Sequence, residues 1–134
     1  MRIKIATLMA AGITMVCSCS GEYHTDSLGI SVTPEENREY SYTDKKSGYW
    51  YGNTHSVASQ WYSGWNIAKK RILADYTIRL EGKDLDRKEA ECIVYPDRLV
   101  RKWEHVTETF HMLDNLPIVH IGIDTDSEQA SISI

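Results

Sequence analysis

The feature that most constrains this chain is a period of two in its apolar residues, sustained from Ala74 to the end of the sequence. In "ADYTIRLEG", Tyr76, Ile78 and Leu80 point one way and Thr77, Arg79 and Glu81 the other, the pattern of a half-buried strand. "AECIVYP" repeats it, with Cys92 and Val94 on one face, Ile93 and Tyr95 on the other, and Pro96-Asp97 ending the run. "RLVRKWE" and "HVTETFHML" read as two more strands. In the second, Val106, Glu108, Phe110 and Met112 alternate with Thr107, Thr109, His111 and Leu113. "DNLP" has turn chemistry, and "IVHIGID" follows with Val119, Ile121 and Ile123 on one face. Short strands separated by turn residues predict an all-β chain folded as an antiparallel β-sandwich.

At 134 residues the chain has room for one core. Residues 48–134 are assigned to the sandwich and residues 19–47, polar and rich in Ser, Thr, Glu and Asp, to an irregular tether with short strands at most. "IAKKRILAD" has near-helical apolar spacing over too few residues for a stable helix, so a turn or one short helix is expected there. "AKKRI" suits a solvated edge, where lysines discourage strand-to-strand pairing. The closing "ASISI" places Ala130, Ile132 and Ile134 on one face, and the sheet is expected to be incomplete at this end.

The opening segment, residues 1–18, has Arg2 and Lys4 ahead of an apolar run from Ile5 to Val16. This is signal-peptide anatomy, and the run is too short for a permanent membrane span. "CSCSGE" resembles the lipoprotein boxes of Gram-negative bacteria, particularly the relaxed ones of Bacteroidetes-type exporters. Val16 and Ser18 put Cys19, rather than Cys17, in the lipidation frame, so a membrane partner reached through a lipid anchor at Cys19 is expected. An ordinary secretory signal is the plainer alternative. Only Cys92 then stays unmodified, as a buried thiol in a strand. Without Arg2 and Lys4 the chain carries about six more acidic than basic residues, and with no basic stripe or phosphate loop it is not a nucleic-acid binder.

The sharpest local feature is "SGYWYGNTHSVASQWYSGWN", which gathers Tyr49, Trp50, Tyr51, Trp61, Tyr62 and Trp65. Tyr and Trp join an apolar body to a polar tip and suit a half-wet surface on which sugar C–H faces stack, with Asn53, Gln60 and Asn66 available for hydroxyls. The same rings suit a core cap or a docking surface for a neighbouring domain. Trp65, just before the alternating region, is expected to be buried. Trp50, between tyrosines and glycines, is expected to be more exposed.

The segment from Trp61 to Asp124 resembles the N-terminal β-sandwich of bacterial glycoside hydrolases with an (α/α)6 barrel, the trehalase-like and glycogen-debranching-like enzymes. The resemblance rests on the Trp-Tyr-x-Gly-Trp lead-in (Trp61, Tyr62, Gly64, Trp65), "DYTIRLEGKDLDR", "VYPDRLVRKWE" and "TETFHMLDNLPIVHIGID", with Arg101 and Glu108-Thr109 before Leu113-Asp114. It covers about half the chain and includes no catalytic signature. It implies further strands and a catalytic barrel beyond Ile134, with this domain bracing the barrel and lending aromatic side chains to the mouth where a glucan-like oligosaccharide enters. A free-standing glycan-binding surface lipoprotein and a structural envelope protein are the alternatives.

No catalytic residue is assigned. Glycoside hydrolysis needs two carboxylates a set distance apart, and no motif pairs any of Glu104, Glu108, Asp114, Asp124 and Asp126. A Gly-x-Ser-x-Gly elbow is missing as well. No metal or cofactor is assigned either. His105 and His111 stand too far apart along a strand for one ion. "DTDSE" lacks the glycine and distant glutamate of a calcium loop and reads as a polar hairpin connection.

Overall fold

The computed structural model describes residues 25–134; the signal segment, Cys17, Cys19 and His24 lie outside them. The strands are β1 (Ile30–Val32), β2 (Glu39–Thr43), β3 (Gly48–Asn53), β4 (Gly64–Ile67), β5 (Lys70–Leu73) and β6 (Thr77–Leu80). They continue with β7 (Lys83–Asp84), β8 (Glu91–Val94), β9 (Arg98–Lys102), β10 (Val106–Met112), β11 (Val119–Thr125) and β12 (Ala130–Ser133). Single turns of 3₁₀ helix at Thr25–Leu28 and Arg87–Glu89 are the only helical pieces among the described residues. All pairings are antiparallel, in a five-stranded sheet β1-β8-β9-β10-β11, a four-stranded meander β2-β3-β4-β5 and a three-stranded sheet β12-β6-β7. The all-β sandwich read from the alternation is the fold observed.

The core lies between the five-stranded sheet and the meander. β10 alternates strictly, burying Val106, Glu108, Phe110 and Met112. Leu99, Cys92 and Val32 join them from β9, β8 and β1. Tyr40, Tyr42 and Trp50 face them from β2 and β3, and Tyr76 and Ile78 close one side. Phe110 sits at the centre, 4.9 Å from the Trp50 ring and stacked at 6.1 Å on Tyr76. Fully burying a Phe or Leu side chain is worth about 1.5–3 kcal/mol. A Cβ on Gly52 would meet Trp50 Nε1 and the Tyr40 ring at 2.9 Å, so this position stays glycine to admit the indole.

Four expectations change. The span taken as a tether holds β1 and β2. In "EYSYT" Tyr40 and Tyr42 are buried while Glu39, Ser41 and Thr43 face out, and the Tyr42 hydroxyl reaches the carbonyls of Tyr95 and Arg98 across the core. The sandwich therefore begins at Ile30, not Gly48. Asp44 secures the β2–β3 turn by accepting the N–H groups of Lys46, Ser47 and Gly48 at 2.8–3.0 Å, and these bonds, that from Gly48 foremost, hold its carboxyl below the usual range.

"IAKKRILAD" is neither an isolated turn nor a short helix but the β4–β5 hairpin. Its two-residue loop, Ala68-Lys69, has φ of +46° and +68°, the left-handed pair a tight hairpin requires. β5 forms the sheet edge, with Lys70, Arg71 and Ile72 exposed. "DTDSE" is not a hairpin connection, because β11 and β12 belong to different sheets. β12 pairs with β6 through Ile132 opposite Ile78, and Ile132 and Ile134 remain exposed. Lastly, Trp50, expected to be more exposed, is buried because β3 turns Gly48, Trp50 and Gly52 inward, and Trp65, expected to be buried, is half-buried against the core.

Candidate functional site

The register of the meander sorts the six rings. Trp50 opposes Tyr42 on β2 and Trp65 on β4, so these three share the inner face. Trp50 is 2 % exposed, and Trp65 lies half-buried at the margin of the core. Tyr49 and Tyr51, at the alternate positions of β3, look outward over the solvent face. The loop between β3 and β4 brings Tyr62 against Tyr51, with ring centres 4.9 Å apart and nearly perpendicular, and Trp61 against Tyr62 at 5.3 Å and 87°. Edge-to-face pairs of this kind add about 0.5–1.5 kcal/mol each beyond burial. Trp61 is 82 % exposed.

These contacts make a stepped aromatic ridge, Tyr51–Tyr62–Trp61, with Tyr49 beside it. Its polar fittings differ from those expected. Asn66 is buried and spends its amide on the carbonyls of Tyr62 and Gly64, fixing the loop instead of facing a ligand. Asn53 donates to Ser56, and Gln60 is exposed next to Trp61. Glu39, on the same outer face, engages the Tyr51 hydroxyl and, with burial and Tyr62 adding to the effect, raises its pKa. The Arg71 guanidinium reaches the Trp61 carbonyl. The ridge thus offers apolar ring faces flanked by a carboxylate, an amide and a guanidinium.

A second constellation is internal. Arg101 and Glu108 oppose each other on β9 and β10 with their side chains on the core face, and both are essentially inaccessible. Arg101 Nη1 donates to both Glu108 oxygens at 3.0 and 3.1 Å, Nε to the Thr54 carbonyl at 2.7 Å and Nη2 to the Asn53 carbonyl at 3.0 Å. The Tyr76 hydroxyl donates to Glu108. Burial first, and the Glu108 charge next, push the Tyr76 pKa far up, so it remains a donor. Around this network opens a pocket of about 320 Å³ lined by His55, Tyr76, Leu85, Arg87, Trp103 and Glu108 among others. His55 is buried with Nδ1 3.0 Å from the Thr54 hydroxyl and Nε2 3.2 Å from the Ala90 carbonyl. Arg87 grips Asp75 in a bidentate pair, and Asp86 caps the 3₁₀ turn by accepting from Lys88 N–H.

The carboxylates lining this pocket are therefore engaged in bracing the fold. The sequence reading places Glu108 among the unpaired acids and, with Arg101, among the residues that carry the resemblance, but does not pair the two. The available signal was that two oppositely charged residues fall at inward positions of adjacent strands. Of the other acids named, Glu104 lies 3.7 Å from the exposed His105, and Asp114 pairs with Lys45 on the surface. No group of three or more His, Cys, Asp or Glu side chains among the described residues is placed to hold a metal ion. Cys92 is a buried free thiol whose pKa burial pushes up to about 11. No helix among the described residues is long and apolar enough to cross a membrane.

Comparison of the chain with protein-family models, with curated proteins and with solved structures finds no match in any of the three.

Proposed function

We propose that this chain is a non-catalytic β-sandwich module of an exported, lipid-anchored carbohydrate-active protein, the N-terminal domain of a glycoside hydrolase with an (α/α)6 barrel. Its role is to brace the barrel and to present an aromatic ridge to glucan-like oligosaccharide at the substrate mouth. The observation that carries this reading is the placement of Trp61. An indole 82 % exposed, stepped against Tyr62 and Tyr51 on a solvent face, is a stacking surface that the core does not use. Sugar rings offer apolar C–H faces to such steps, while Glu39 and the exposed Gln60 supply polar groups for hydroxyls.

The test is titration of the full chain with soluble α-glucan oligosaccharides, followed by tryptophan fluorescence. Trp50 is buried, and Trp65 and Trp103 are half-buried, Trp103 with its indole N–H on the Asp86 carbonyl, so the change should come chiefly from the exposed Trp61, and Trp61→Ala should remove it and weaken binding at least tenfold without altering the fold. No response to any glucan would refute the sugar contact and leave the ridge as a protein-docking surface.

A further inference from the structure

The outer face of the five-stranded sheet carries a pair of histidines that neither the core nor the aromatic ridge uses. β10 and β11 form a hairpin in which His111 stands directly opposite His120. Their ring centres are 4.7 Å apart and the ring planes are inclined by 34°. His111 is half-buried and His120 exposed, so the space above the pair opens to solvent. Opposed residues on one face of an antiparallel pair have Cβ atoms about 4.5–5.5 Å apart, which lets two imidazoles converge on a common point.

We propose that His111 and His120 form a two-imidazole chelate for a divalent first-row transition metal, with Cu²⁺ the preferred ion and water completing its coordination. The ring spacing fits. A metal about 2.0–2.1 Å from one nitrogen of each ring lies about 3.2 Å from each ring centre, so ligand–metal–ligand angles of about 90–110° need centres about 4.5–5.2 Å apart. The observed separation falls inside that window. Imidazole is a ligand for Cu, Ni and Zn, and Cu²⁺ heads the affinity order for nitrogen sites and accepts mixed nitrogen and water coordination. Ca²⁺ and Mg²⁺, which require oxygen ligands, do not suit the pair.

The surroundings permit the ion. Arg98 on β9 opposes His111 from the other side, but its guanidinium is held by Asp26 and Asp97 and lies 4.0 Å over the Tyr95 ring, so its charge is compensated by two carboxylates. Gly122 shares the strand face with His120, and a Cβ there would come 3.3 Å from His120 Cε1. A side chain at 122 would crowd the ring, whereas glycine leaves it room to settle against an ion.

The experiment is a calorimetric titration of the full-length chain with CuCl₂, NiCl₂ and ZnCl₂ at pH 7.5, with Cys17 and Cys19 replaced by Ser so that the buried Cys92 is the only thiol. Nuclear magnetic resonance of the imidazoles follows the same samples. The expected result is one equivalent of Cu²⁺ bound more tightly than Ni²⁺ or Zn²⁺, with the His111 and His120 signals affected first. His111→Gln and His120→Gln should each weaken Cu²⁺ binding at least tenfold, and His105→Gln should leave it unchanged. Because His120 is exposed, its variant tests the site without disturbing the core. Gly122→Ala, with both histidines kept, should weaken binding several-fold. Cu²⁺ affinity unchanged in His120→Gln, or perturbation spread evenly over all the histidines, would overturn the proposal and leave the pair as a surface packing contact.

Discussion

Replacing Glu108 by Leu removes the partner of a guanidinium that is fully enclosed. Arg101 would keep the carbonyls of Thr54 and Asn53 but lose both carboxylate bonds, and the Tyr76 hydroxyl would lose its acceptor. Leaving one member of a buried ion pair uncompensated costs about 3–5 kcal/mol, a large share of the roughly 5–15 kcal/mol that stabilises a domain. The double variant Arg101→Met/Glu108→Leu removes both charges and fills the space with apolar atoms. It should recover part of the loss, though not all, because the Asn53 and Thr54 carbonyls lose their donor at about 1–3 kcal/mol for each one left unsatisfied. Equilibrium urea unfolding at pH 7 of the parent, both single variants and the double variant measures this as a cycle. The double should be more stable than the sum of the singles predicts by at least about 2 kcal/mol, within the range of contacting charged pairs. A loss below about 1 kcal/mol for Glu108→Leu, or strict additivity, would refute the claim that this pair is a desolvated unit joining β9, β10 and the loop after β3.

Trp50→Ala should cost about 3–5 kcal/mol by urea unfolding, whereas Trp61→Ala should stay within about 0.5 kcal/mol of the parent; the opposite order would invalidate the inward register of β3. His55, whose pKa burial lowers first of all, should bind its proton less readily folded than unfolded. Its contribution to stability is therefore present above the unfolded value of about 6.5 and is lost as the pH falls below it, with His111 acting in the same direction. Imidazole resonances checked against pH would contradict this if His55 titrated at or above 6.5. Cys19→Ala should abolish fatty-acid incorporation in a lipid-exporting host; labelling that persists there and vanishes in Cys17→Ala would move the anchor to Cys17.

β10 was legible because every second residue from Val106 to Met112 carries bulk or a core charge, and periodicity suffices when a strand is flanked on both sides in its sheet. β2 was not, because its inward residues are only Tyr40 and Tyr42 among polar neighbours, and the Tyr42 hydroxyl is satisfied by carbonyls contributed by the distant Tyr95 and Arg98. Trp50 was misplaced for a related reason. Glycines at 48 and 52 suggest an open loop, yet Gly52 is the clearance that lets a large ring lie flat in the core. The outward rings were visible as residue types, but which of them meet depends on a loop path set by Asn66. The opposition of His111 and His120 needs the hairpin register, which alternation within each strand does not supply.

The pairing order of the strands also says how the chain must come together in time. β2 to β5 and β8 to β11 are each joined neighbour to neighbour along the chain, so every contact within them closes a short loop and can form early. β1 and β12 are different. β1 joins β8 only across the whole of the first meander, and β12 joins β6 only across the whole of the second. β1 thus ties the first meander to the second and β12 ties the second to the β6–β7 hairpin, and these outermost strands carry the largest closure entropy and present few buried side chains in return. Those strands should be the last to lock during refolding and the first to release their amide protons to solvent, while the sheets they border remain closed.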